Sequence, residues 1–204
     1  MKKVFIWVIM CLMACGTVTA QEYSKQARKE ARKQAKANIK EGYLVKPGCS
    51  SLEAQYLRLN SMRQEKDEEG YPLYIMAMSA TPGQNYDAAR FQAIELAKAE
   101  IVSQMETSIT SLVESKLSNQ QTGPGAAVSV ATTSGAVVAC ASKKIGRVIV
   151  AFEAYRILPN GNTEVLIHVA YSSKKAQEIV DASIREVLEA EAGALLEEIK
   201  QSNK

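Results

Sequence analysis

From Asn85 to about Leu117, apolar side chains return at every third or fourth position: Phe91, Ile94, Ala97, Ile101, Met105, Ile109, Leu112 and Val113. That spacing gathers them on one face of an α-helix, with Asn85 as the N-cap and Asp87 in the first turn, where the helix dipole favours an anion. A helix of about thirty residues is roughly 50 Å long, more than a domain of this size is wide. Its stripe must be covered by something equally apolar, and its far end is expected to project or to pack against a second copy of the chain.

The covering surface is legible farther along. Arg147 to Leu158 and Thr163 to Ser172 are two strand-like runs around Pro159-Asn160-Gly161-Asn162, and an Asn-Gly pair accepts the positive φ of a tight turn. Val148, Val150, Phe152 and Ala154 alternate onto one face, beside Val165, Ile167, Val169 and Tyr171 of the partner strand. Arg147, Glu153, Tyr155, Glu164 and His168 are expected on the other, partly wetted face. Tyr71 to Ala80 reads as a third strand, ended by Thr81-Pro82-Gly83. A second core helix begins near Ser173 and carries Ile179, Val180, Ile184, Val187, Leu188, Leu195, Leu196 and Ile199. The order strand, long helix, hairpin, helix gives an α+β fold, a small antiparallel sheet with helices packed on one face.

Upstream, Ser50 or Ser51 caps a helix with Leu52, Tyr56, Leu57 and Leu59, which fades in the charged run from Glu65 to Gly70. Residues 119–146 shift to Gly, Ala, Ser, Thr and Val and are expected as a flexible loop or a pair of weak edge strands. Residues 50–204 therefore read as one α+β domain, preceded at 21–49 by a basic helical extension and a linker containing Gly42, Pro47 and Gly48.

The first twenty residues have the form of a secretory signal peptide: Lys2 and Lys3, an apolar run from Val4 to Ala14, then small residues up to Ala20. Eleven apolar residues cover only about 16 Å of helix, well short of a bilayer core. Two processings fit. Val18 and Ala20 present small side chains for cleavage before Gln21, whereas Leu12-Met13-Ala14-Cys15-Gly16 has the outline of a lipobox, which would leave an acylated Cys15 at a membrane. Either way the chain is expected to be exported, periplasmic or associated with the outer membrane. Cleavage before Gln21 leaves Cys49 and Cys140, which in an oxidising compartment pair as a disulfide or stay separate.

Charge is unevenly distributed. Without the leader the chain has 23 basic and 22 acidic residues, yet residues 22–46 hold eight bases against Glu22, Glu30 and Glu41. Lys25, Arg28, Lys29, Arg32, Lys33 and Lys36 fall within a run of strong helix formers that starts after Ser24, a suitable N-cap. The apolar positions of that run are Ala27, Ala31, Ala35 and Ile39, a shallow stripe. Two readings follow: a solvated helix lying on the acidic remainder of the protein, or a surface that contacts anionic lipid or another polyanion. Without aromatic residues interleaved among the bases, nucleic acid is not an expected partner.

Catalytic patterns are not found. His168 is the only histidine, and Glu164 lies four strand residues away, roughly 13 Å, too far to orient it. Asp67-Glu68-Glu69 is a charged run rather than a carboxylate pair in a cleft, and Ser79 lacks the glycine elbow of hydrolases. The thiols and the single histidine do not have zinc-ligand spacing, and the glycines of 119–146 do not form a phosphate-binding loop. No metal and no cofactor is expected.

Tyr74-Ile75-Met76-Ala77-Met78-Ser79-Ala80-Thr81, then Ala88-Ala89-Arg90-Phe91-Gln92-Ala93 and Ala97-Lys98-Ala99-Glu100-Ile101, resembles the Lpp-twenty lipoprotein family. The resemblance covers Tyr71 to about Ser115 and, more loosely, the hairpin. It implies a bacterial envelope protein, often lipid-anchored, with no catalytic residues to carry over. Ser79 stands where that family commonly has glycine. The sequence thus suggests a non-enzymatic cell-envelope protein acting in assembly or binding, with a second copy or another envelope protein as partner. The alternative is a module that meets an anionic membrane surface through the basic helix. Ile101→Asp or Val150→Glu should unfold the domain, read as loss of the thermal transition, because each would bury an unpaired charge.

Overall fold

The computed structural model describes residues 24–118 and 124–202. The leader-like segment 1–20, with Cys15, and Gln21 lie outside the described residues. Among the described residues, five helices and three strands follow in the order α1 (Lys25–Lys40), α2 (Leu52–Gln64), β1 (Tyr74–Gly83), α3 (Tyr86–Ser118), α4 (Pro124–Lys144), β2 (Ile149–Ile157), β3 (Thr163–Ser172) and α5 (Ser173–Ser202). The sheet is antiparallel with order β1-β3-β2. The α+β architecture is the one the sequence pattern indicates.

Local signals start the elements where expected. Ser24 Oγ accepts from the Ala27 amide, Ser51 Oγ from Ala54, and Asn85 Oδ1 from Ala88, each satisfying an amide that the helix itself cannot pair. Gly161, at φ +83°, closes the hairpin. The first strand differs from its expected bounds, running from Tyr74 through Thr81-Pro82-Gly83 because these three pair with Val165, Glu164 and Thr163. Proline is tolerated there because β1 is an edge strand. Residues 65–73 make a tight turn instead, in which Asp67 Oδ1 accepts from the Glu69 and Tyr71 amides.

One face of the sheet, with Ala77, Val165, Ile167, Val169 and Tyr171, is covered by α3, α4 and α5. The buried row of α3 is Ala89, Ala93, Ala97, Ile101, Met105, Ile109 and Val113, every fourth residue. Its alanines let the helix approach the strands closely; a Cβ built on Gly83 would lie 2.6 Å from the Ala89 amide nitrogen. Phe91, expected in the stripe, is 70% exposed.

Residues 124–144 are the main correction: α4 is a helix, neither a loop nor edge strands. Its Gly, Ser, Thr and Val content disfavours an isolated helix, but Thr133, Ser134, Val137 and Ala141 are buried where α4 packs on α3 and α5, and tertiary burial outweighs propensity. Pro124 as first helical residue is the local signal that could have marked its start. The outer part of α3 is therefore covered within the chain, since Ile109 and Val113 share a core with Val137.

The second difference concerns the sheet's other face, which is covered at its centre and wet only toward the edge strands, where Met78 and Ile149 are 59% and 39% exposed. There α2 packs on β2 and α1 packs on α2, burying Ala31, Ala35, Leu52, Tyr56 and Leu59 with Phe152, Ala154 and Ala170. The N-terminal helix is thus an integral layer, fixed by Asn38 Nδ2 donating to Tyr56 Oη at 2.8 Å and Asn60 Nδ2 donating to Gln34 Oε1 at 3.0 Å. The strict alternation read for β2 fails because Val150 pairs with Val169 while Phe152 pairs with His168. One extra residue, Ala151, makes a β-bulge and reverses which face the later side chains meet. Val148 and Val150 therefore face the three-helix side, and Phe152 and Ala154 the α1–α2 side.

Replacing Gly83 by alanine should lower unfolding free energy in urea titrations by about 1–3 kcal/mol, because the new methyl meets backbone that cannot yield. Unchanged stability would contradict this close approach of β1 and α3.

Candidate functional site

The bulge divides the charged residues of the hairpin between two faces. Glu153 and Tyr155 turn toward α3, and Arg156, Glu164 and His168 toward α1 and α2. On the α3 side Glu153 accepts from Arg90 Nε at 2.9 and 3.1 Å and from the Tyr86 hydroxyl. Its own amide donates to Gln55 Oε1 at 2.6 Å, so one residue joins β2 to both α2 and α3. Hydrogen bonding to Glu153 holds the Arg90 guanidinium more firmly protonated than usual. Burial, followed by the hydrogen bond to this carboxylate, raises the Tyr86 hydroxyl above the ordinary phenol range.

On the other side Glu164 Oε1 accepts from Tyr43 Oη at 2.6 Å and Arg156 Nε at 2.8 Å. Burial alone would raise the Glu164 carboxyl, but these two donors outweigh it and hold it below the usual carboxylate range. The neighbouring Leu44 exchanges two backbone hydrogen bonds with Tyr155, at 2.7 and 2.9 Å, and so covers the open edge of β2. The segment expected as a plain linker is in this way a short sheet element. Neither cluster is legible in the sequence, because both depend on the bulge, which no residue type announces.

His168 is corrected from the wetted face to the interior, 8% exposed, with its ring edge-on to Phe152 at 5.3 Å. Burial, aided by the nearby charge of Arg63, lowers its pKa to about 4. Glu164 is occupied by Tyr43 and Arg156 rather than by the imidazole. Cys49 and Cys140 are both free thiols and do not pair: Cys49 is in the exposed turn before α2, and Cys140 is on α4. Ser79 Oγ lies 3.1 Å from Thr81 Oγ1 on β1. Among the described residues, no group of three His, Cys, Asp or Glu side chains could hold a metal ion, and no helix is long and apolar enough to cross a membrane.

The remaining candidates lie together. Lys25, Arg28, Lys29, Arg32, Lys33, Lys36 and Lys40 are all exposed along α1. The ion pairs among the described residues are Arg90–Glu153, Lys98–Glu95, Lys144–Glu186 and Arg156–Glu164, none of which involves α1. The helix is therefore attached to the domain by its alanines and amides, not by its charges. Beside it runs an apolar groove of about 520 Å³ between α1 and residues 43–53. Ile39 and Leu44 line it and are 59% and 53% exposed, with Arg32 and Lys36 at its margin.

Comparison of the chain with protein-family models, with curated proteins and with solved structures gave no match.

The lowered His168 pKa has a definite sign. The folded state prefers the neutral ring, so stability is full above the ordinary value of 6.5 and falls as pH drops toward about 4. The loss is on the order of 3 kcal/mol. His168→Leu should abolish this part of the acid sensitivity, seen by comparing urea midpoints of the two proteins between those pH limits. Parallel pH profiles for wild type and variant would contradict the buried, neutral imidazole.

Proposed function

We propose that this chain is a non-catalytic bacterial cell-envelope protein, and that it works by binding, with α1 laid against an anionic membrane surface. One observation carries the reading: a continuous basic face whose charges make no ion pair with the described residues of the domain, next to exposed Ile39 and Leu44. Basic side chains near an anionic leaflet contribute roughly 1 kcal/mol each. Exposed aliphatic side chains beside them add the shallow insertion typical of interfacial helices.

The leader-like segment 1–20 and the resemblance to the Lpp-twenty lipoprotein family support export and an envelope location. In the lipobox reading, Cys15 precedes Lys25 by ten residues, so an acyl anchor would deliver α1 to the membrane surface at high effective concentration.

The test is co-sedimentation of the chain from Gln21 onward with vesicles of neutral lipid, with and without phosphatidylglycerol. Binding should require the anionic lipid and fall at least tenfold between ~50 and ~500 mM salt. It should also fall at least tenfold in the Lys29→Gln, Lys33→Gln, Lys36→Gln variant. Equal binding to neutral vesicles, or indifference to these substitutions, would refute the proposal.

A further inference from the structure

A second basic feature lies away from α1, at the outer edge of β2. A cleft of about 340 Å³ opens between α2, the turn at 46–50 and the start of α3. Its lining includes Lys46, Arg58, Tyr86, Glu153 and Tyr155, and it shares no residue with the basic face of α1. Its size falls at the lower end of small-molecule sites.

The charges in this cleft do not cancel. Glu153 is its only acidic lining residue, and that carboxylate is occupied by Arg90, at 2.9 and 3.1 Å, and by the Tyr86 hydroxyl. Lys46 Nζ lies 4.4 Å from the centre of the Tyr86 ring, an interaction that positions the ammonium without neutralising it. Neither Lys46 nor Arg58 belongs to an ion pair among the described residues. The walls are also fixed in advance. Tyr86 and Tyr155 stand edge to face at 5.6 Å, and the Glu153 amide is held by Gln55. Two uncompensated cations at a preformed, partly aromatic cleft form an attractive site for a negative group, and the guanidinium geometry suits a planar or tetrahedral oxyanion.

We infer that this cleft binds the oxyanion head, phosphate or carboxylate, of a small molecule, with Lys46 and Arg58 as its charge partners and the two tyrosines against its apolar part. The inference is independent of membrane binding, because the two surfaces use different residues.

The test titrates the isotope-labelled chain from Gln21 onward with inorganic phosphate and, separately, with benzoate, at constant ionic strength, following backbone amide shifts. Saturable shifts confined to residues near 46–58 and 150–155 are expected in at least one titration, and the anion that saturates identifies the head group. Lys46→Gln and Arg58→Gln should each weaken that binding at least tenfold, about 1.4 kcal/mol or more, while the triple glutamine variant of α1 leaves it unchanged. If Arg58→Gln alters folding, Lys46→Gln alone decides. Linear, unsaturated shifts with both anions, shifts centred on α1, or wild-type affinity in the cleft variants would overturn the inference.

Discussion

The fold depends on burying β3 from both sides. It is the middle strand, and Val165, Ile167, Val169 and Tyr171 on one face and His168 and Ala170 on the other are all buried. A central strand that is apolar on both faces needs a helical layer over each. The chain supplies them in two parts, α1 and α2 before the sheet begins and α3, α4 and α5 interleaved with its strands. Losing either layer would expose one side of the only strand that bonds to both its neighbours.

The bulge at Ala151 reconciles β2 with this arrangement. Without it, Phe152 would compete for the side already filled by α3 and its neighbours, and the α1–α2 layer would lack its largest fully buried side chain. Full burial of a phenylalanine contributes about 1.5–3 kcal/mol, enough to offset one locally disrupted ladder position. The same reversal turns Glu153 toward Arg90 and leaves Glu164 with Arg156 and Tyr43, so each partly buried carboxylate meets a cation and a phenol. These clusters also tie segments distant in sequence to the hairpin, where unpaired carboxylates would be costly.

Charge is used in two ways. Inside the layers it is paired: the Glu153 carboxylate accepts from Arg90 and Tyr86, and Glu164 Oε1 accepts from Arg156 and Tyr43. Along α1, and at Lys46 and Arg58, it faces outward without an intramolecular ion partner among the described residues. Stability draws on the first group, so the second can be changed at little expense to the fold. That separation lets binding be tested without unfolding the domain.

What the sequence determined by itself was local. Ser24, Ser51 and Asn85 as caps, Gly161 in its turn, the four-residue row of α3 and the hairpin depend on contacts within a few residues, and the periodicities of 3.6 and 2 express them directly. The basic face of α1 was legible for the same reason. What the tertiary structure decided was parity and partnership. Whether β2 keeps one alternation, whether a Gly-, Ser- and Val-rich stretch becomes a helix, and whether His168 meets water all turn on burial by residues far away in the chain. Those contacts carry more free energy than the weak local preferences they override, and the candidate cleft, assembled from three separate segments, exists only once they have formed.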